Sequence, residues 1–505
     1  MQRGFQVVAI SALVAGATLA IRADVTPPTQ AAEIELQLGH LFFPEGRFPE
    51  SLDAYQHALR TDDSSRLREA RSGVIQSALR LAEYDIARVH AEALLKSSPR
   101  NAEAVSLYGD SLWASGLFEQ AQARYKDALS IVPELARGRH GLARSLLARS
   151  QVDAAMNEAQ AALLLAPRDL EIHHTVGAIY ERMHKYEEAA AAYSNYVNLL
   201  PNKDTSDKAI WSRAEIGFLR SFGQRIPFEM DPGADTMLYT VPFKLVNDKI
   251  VVRAKINNRG DQDFIVDTGS ESTVITDTTA QRIGVAPITY TLSAGVGEVG
   301  LRGLQLARLE SLTIGSLKLR NVPCIIKNPP LRNLPIRERE SLSPLALGFS
   351  MMIDYKAKLL TLGKHLPPEP MDVELPLTLY RLATVRGTID ADHQVNFVVD
   401  TGGEVISISQ ATATALHRPA QERRIKLKVY GTSGWDRDAF LLLPGVDLAF
   451  DAIQYKSLPV VVLNLTAPSA LLGFQLGGTI GHKFLSRYRV GIDLERSVLR
   501  LKATG

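Results

Sequence analysis

The sequence predicts a multidomain chain, an all-α helical solenoid followed by an all-β region of two similar lobes. Prolines at 99, 133, 167 and 201 recur every 34 residues, the period of a two-helix repeat unit. The stretch Phe264-Ile265-Val266-Asp267-Thr268-Gly269-Ser270 returns 133 residues later as Phe397-Val398-Val399-Asp400-Thr401-Gly402-Gly403. Each copy is an apolar run that stops at a carboxylate and a turn-forming glycine, the mark of a buried strand delivering a charge to the edge of a core.

Residues 1–23 are read as an export signal: Arg3 gives a basic start, Val7 to Ala20 is largely apolar, and small residues follow. The run is short of the ~20 apolar residues that a spanning helix needs, so cleavage is expected, with membrane anchoring only if the signal is retained. The expected location is periplasmic or extracellular.

The helical array is expected over residues 32–201. Its clearest unit, Ala102 to Pro133, carries Tyr108-Gly109, Leu112, Gly116, Ala121, Tyr125 and Ala128. Later units repeat the pattern with Ala143, Ala155, Ala159 and Ala162, then with Gly177, Tyr180, Ala189 and Tyr193. Small residues let paired helices approach while Tyr and Leu fill the groove to the next unit, so about five units should stack into a curved array. These residues resemble the tetratricopeptide repeat, and the resemblance implies a protein or peptide partner on the concave face; a rigid spacer is the other reading. Residues 202–236 hold a capping helix, with Ile210, Trp211, Ala214, Phe218 and Phe222 on one side, and then a linker punctuated by Pro232-Gly233.

Lobe one is assigned to 237–364 and lobe two to 365–505. Val252-Arg253-Ala254-Lys255-Ile256 lines up with Val385-Arg386-Gly387-Thr388-Ile389 at the same separation of 133. An apolar-Gly step, Leu347-Gly348 or Ile480-Gly481, follows each aspartate 81 residues on. After Gly348 lobe one is six residues shorter than lobe two, so it is expected to lack the short helical turn at Lys483 to Tyr488. The region therefore reads as an internal duplication.

The doubled hydrophobic run, Asp-Thr-Gly and later apolar-Gly segment resemble the retropepsin-like aspartic proteases. That resemblance covers roughly 237–505 and implies two lobes fused in one chain as in the pepsin-like arrangement, with catalytic Asp267 and Asp400 facing each other. Two close carboxylates share a proton, one activating water and the other protonating the substrate. Thr268 and Thr401 are expected to bond across the lobes, and Gly269 and Gly402 to leave N–H groups free for the carboxylates. The Gly-rich segments Leu292 to Gly303 and Tyr430 to Asp438 are candidate flaps, with Gly295, Gly297, Gly300, Gly431 and Gly434 giving freedom to open and Trp435 available to close a pocket. The resemblance implies no metal and no organic cofactor.

Composition narrows the alternatives. A formal charge of +2 on 505 residues gives no footprint for nucleic acid. The scattered histidines, His173-His174 included, lack metal-ligand spacing. Cys324, the single cysteine, sits among Val322, Pro323, Ile325 and Ile326 and reads as an inert buried thiol. The expectation is an exported, monomeric aspartic endopeptidase that cleaves an extended peptide. Two rivals stand beside it, a catalytically inactive protease-like scaffold acting as an adaptor, and like lobes pairing between two chains.

Overall fold

A computed structural model describes residues 28–297, 301–327, 339–418, 423–431 and 433–504. The proposed export signal and Gly300 lie outside the described residues. Among the described residues, no helix is long and apolar enough to cross a membrane.

Five helical hairpins run from Pro28–Phe42 and Phe48–Ala58 to Leu170–Arg182 and Tyr186–Leu199, followed by the cap helix Asp207–Arg220. The Gly/Tyr pattern has a direct physical cause. The buried ring of Tyr125 lies so close to the helix Ala136–Ala148 that a Cβ on Gly141 would come within 2.2 Å of it. The array curls until its ends meet: Asn202 Nδ2 donates to Glu45 O at 3.3 Å, and Arg80 of the second hairpin pairs with Glu171 of the fifth.

The two β lobes share a floor. Strands Tyr239–Pro242, Leu359–Gly363 and Ser350–Asp354 from lobe one continue into Tyr488–Asp493, Val498–Ala503 and Val373–Tyr380 from lobe two, all in one sheet. The seam is antiparallel, with Met351 opposite Ile492 and Ile353 opposite Val490. From Val373–Tyr380 this sheet runs on into the other strands of lobe two, while lobe one adds a separate eight-stranded sheet, and one apolar core is continuous through both lobes.

Parallel pairing corrects one sequence expectation. Strand Phe397–Val399 lies beside Gly478–Ile480, and the equivalent neighbour of Phe264–Val266 is Glu340–Leu342. The counterpart of Ile480 is therefore Leu342, not Leu347. Gly348 instead closes a turn over Pro344 to Gly348, with φ +72° and its N–H donating to Leu345 O at 2.9 Å. With Leu342 as the anchor, the two closing segments differ by a single residue. That turn occupies the place taken in lobe two by the short helix His482–Leu485, so lobe one lacks the helix, as expected, and has a hydrogen-bonded turn instead.

The array is not a separate bead. Its Trp113 and Phe118 meet Tyr380 and Phe474 of lobe two at ring-centroid distances of 5.2 and 5.0 Å, within a shared buried cluster that includes Leu112, Leu472 and Leu476. Gln475 N–H donates to Ala114 O at 2.7 Å, and Tyr84 Oη to Ser469 O at 3.2 Å. The segment expected to be a linker is also tied down. Arg320 of lobe one holds Glu229 at 3.2 Å and Asp231 at 2.7 Å.

Candidate active site

Each aspartate is placed by the end of its strand. Asp267 N–H donates to Leu342 O at 2.9 Å and Asp400 N–H to Ile480 O at 3.0 Å, so the parallel pairing of each lobe runs into its active-site loop. The loop then turns back on its own carboxylate: Gly269 N–H reaches Asp267 Oδ1 at 3.0 Å, and Gly403 N–H reaches Asp400 Oδ1 at 2.7 Å.

The threonines lock the loops together. Thr268 N–H donates to Thr401 Oγ1 and Thr401 N–H to Thr268 Oγ1, both at 3.1 Å. Each hydroxyl then donates to the carbonyl before the opposite aspartate, Thr268 Oγ1 to Val399 O at 2.5 Å and Thr401 Oγ1 to Val266 O at 2.7 Å. Both side chains are buried, so all four polar groups find partners only if the lobes meet in this register.

This exchange brings the two carboxylates together, close enough that the charge on Asp400 acts on Asp267. The glycines make room. A Cβ on Gly269 would lie 2.6 Å from Asp400 Oδ1, and one on Gly402 would lie 2.5 Å from Asp267 Cγ. Both aspartates are half-buried. Desolvation and the neighbouring Asp400 charge push Asp267 up to about 7, and desolvation also raises Asp400, against the pull of backbone N–H groups and Lys249. Such a pair holds one proton where isolated carboxyls would hold none.

The candidate flaps are hairpins whose described residues meet one another. The first joins Thr289–Ala294 to Leu301–Ile314, and the second joins Val429–Gly431 to Gly434–Asp436. Ser433 N–H donates to Val296 O at 3.0 Å, and Gly295 N–H to Ser433 Oγ at 3.1 Å. At the tips, glycine serves close approach: a Cβ on Gly431 would lie 2.2 Å from Val296 O, and one on Gly297, at φ +141°, would lie 2.3 Å from the Ser433 carbonyl carbon. Gly434 is likewise at positive φ, +107°. Trp435 sits on the second flap with its ring edge-on to Tyr430 at 5.5 Å. Buried Asp436 anchors that flap's base by accepting Asn464 N–H at 2.8 Å.

Comparison with known proteins follows the lobes. Residues 252–336 match a family described as "gag-polyprotein putative aspartyl protease", and residues 385–478 match a family described as "Aspartyl protease". Both lobes carry an aspartyl-protease match. No curated protein matches the chain. Solved structures similar to the array include a thermophilic TPR protein from Thermus thermophilus (21% identity, 37% of this chain, 99% of that chain, TM-score 0.32). Others are PilF of Pseudomonas aeruginosa (21%, 38%, 83%, 0.28) and MamA of Desulfovibrio magneticus (18%, 35%, 100%, 0.25).

Sequence reasoning named the dyad, its threonines and its glycines, and these converge. It missed Lys249, whose ammonium donates to Gly402 O across the seam, and Ser433, which joins the flap tips. Cys324 is buried, with its thiol pushed up by desolvation, far from the role of a nucleophile. Among the described residues, no His/Cys/Asp/Glu group has the arrangement of a metal site.

Proposed function

We propose that the protein is an aspartic endopeptidase that hydrolyses peptide bonds in an extended substrate held between the lobes and beneath the flaps. The observation that carries this reading is the close approach of Asp267 and Asp400 at the ends of two equivalent loops locked by the reciprocal threonine bonds. One carboxylate takes a proton from water as it attacks the scissile carbonyl, while its protonated partner donates to the carbonyl oxygen; the first then passes the proton it took from water to the leaving amine, and the partner recovers its own as the tetrahedral intermediate collapses. The flap-tip bonds must part to admit a substrate, and closing them again excludes water from the reacting centre.

The same reading makes the chain an exported protein, by its first 23 residues. The array is proposed to recruit a substrate or partner protein.

The test uses the full chain, because the array covers apolar surface of lobe two. Cleavage of a mixed peptide library is measured from pH 3 to 8 for wild type, Asp267→Asn and Asp400→Asn. Activity in wild type and its loss in both variants is the expected result. Cleavage that survives both substitutions overturns the mechanism, and a fully inert wild type favours the adaptor reading. Mixing the two variants distinguishes a dyad formed within one chain, where activity stays lost, from one formed between chains, where it partly returns.

A further inference from the structure

A hairpin near the start of each lobe reaches across the seam. In lobe one it joins Lys244–Val246 to Lys249–Ile256, and Lys249 beside its turn donates to Gly402 O. In lobe two it joins Val373–Tyr380 to Leu382–Ile389, and Arg381 in its turn donates to Glu271 at 2.6 Å, in the loop just beyond Asp267. Asp248 and Arg381 stand at the separation of 133 that relates Thr268 to Thr401, with φ of +59° and +60°. An arginine held in this left-handed turn costs energy that its contacts must offset.

The second tip is seated on the array. The Tyr380 ring meets buried Trp113 of the third helical hairpin edge-on at 5.2 Å, and Phe474 at 6.2 Å. Arg144 of the fourth hairpin lies over the same Trp113 ring at 5.0 Å. The other bond from Arg381 runs to Leu471 O at 3.1 Å, in the helix Thr466–Leu472, whose last residue belongs to the array–lobe cluster. The turn itself needs no aromatic ring, since Asn247 fills the place of Tyr380 in lobe one. The acid that Arg381 holds also has a counterpart. Glu404 is the equivalent of Glu271, but Lys483 of its own lobe holds it, at 2.6 Å. One active-site loop is therefore braced from within its lobe, and the other from the array by way of Tyr380 and Arg381.

We propose that Arg381 is a positioning residue that makes the array part of the active site: Trp113 fixes Tyr380, Tyr380 fixes the turn, and Arg381 then holds the loop that carries Asp267. Arg381 touches no reacting atom. The catalytic consequence rests on the protease reading above; the brace does not. With side chains 39% and 34% exposed, the Arg381–Glu271 pair adds little to overall stability. Its weight comes from the narrow tolerance of a catalytic pair, in which a small displacement of one carboxylate is enough to slow the reaction. A loop released from its brace keeps its chemistry and loses its alignment, so the loss falls on kcat, whereas an array that only captured substrate would act on KM.

The test uses the full chain and reads the brace first. Hydrogen exchange is followed by mass spectrometry in peptides covering 267–273 and 400–406. Tyr380→Leu and Arg381→Gln should each speed exchange in the first loop by roughly two- to fivefold, the range of an exposed ion pair, and leave the second loop unchanged; Lys483→Gln should do the reverse. The Tyr380→Leu/Arg381→Gln double variant should exchange no faster than Arg381→Gln alone, because both changes cut one connection. Arg381→Lys should restore part of the protection. Trp113→Phe, which shrinks the ring without emptying the cluster, should give the Tyr380→Leu result from the array side. On a peptide that the wild type cleaves, kcat should fall severalfold in Tyr380→Leu and Arg381→Gln with KM unchanged. Wild-type exchange over 267–273 in Arg381→Gln, additive effects in the double variant, or a Tyr380→Leu that raises KM and spares kcat overturns the proposal. A loop that loosens as stated in a chain that cleaves nothing keeps the brace and removes the protease reading, so the two failures are separable.

Discussion

Replacing Asp267 by Asn should stabilise the protein at neutral pH and leave it unchanged in acid. Asn keeps the oxygen that accepts Gly269 N–H at 3.0 Å and can donate to Asp400, so the local geometry has no reason to change. What changes is the cost of ionisation. Asp267 is raised from the ordinary 3.8 to about 7, so between those values the folded chain holds a proton that the unfolded chain has released. Stability therefore falls as pH rises through that window, and the loss is complete above about 7. At about 1.4 kcal/mol per factor of ten the ceiling is roughly 4 kcal/mol. The carboxyl opens on the cleft and water screens part of this, so about 2 kcal/mol is the working figure. In a β region of this size that corresponds to roughly 4–8 °C in Tm. Thermal unfolding of both proteins, followed by circular dichroism from pH 3 to 8, should give curves that coincide near pH 3 and separate steadily to pH 7. A difference that is flat across this range, or an Asn variant that is less stable at pH 7, would refute the assignment of a costly shared proton.

Three further outcomes follow from the geometry. Thr268→Val should leave Thr401 N–H without its buried acceptor, costing about 1–3 kcal/mol, and should lower kcat by misaligning the dyad, read by denaturant unfolding and peptide cleavage. Gly431→Ala sets a methyl 2.2 Å from Val296 O and must separate the flap tips. Faster hydrogen exchange at Gly295 and Ser433, with the exchange of the lobe cores unchanged, is the expected signature. Phe474→Ala empties the array–lobe cluster and should cost roughly 3–5 kcal/mol, with unfolding of the helical and β regions separating into two transitions.

The parts of this structure legible in the sequence are those encoded locally. The 34-residue period and the Gly/Tyr pairing set the array, because each unit packs mainly on its neighbour. The doubled Asp-Thr-Gly located the dyad, because a strand that ends at a carboxylate and a glycine needs little else to define it. Pairing partners were harder. Leu347-Gly348 looked like the mate of Ile480-Gly481 by spacing, but an apolar-Gly step is common, and the partner of Val266 is decided by register in three dimensions, which selects Leu342. The contact of Trp113 and Phe118 with lobe two was not legible, because nothing nearby in sequence says that Phe474 will lie against them. Lys249 left a trace: at a separation of 133 its counterpart is a leucine, and a charge on only one side of a duplicated site marks a place where the halves have diverged in role.

The array also bears on how the cleft opens. It grips lobe two at its third hairpin through Trp113 and Phe118, and it grips lobe one after its cap helix, where Arg308 donates to Ser221 O at 3.0 Å and stacks over Phe222 at 5.2 Å. Leu306, on the long strand of the first flap, packs against the same terminal cluster of the array. Because the array closes on itself, these two grips are tied together into one strut between the lobes. Beneath them the lobes are joined by a continuous sheet, and at the dyad by four buried hydrogen bonds. Swinging one lobe away from the other would break the strut, the sheet or the threonine exchange, each costing more than the two hydrogen bonds at the flap tips. On the proposed protease reading, substrate would therefore enter through the flaps, and the first flap, held at its base by the array, is the one that a ligand of the array would move.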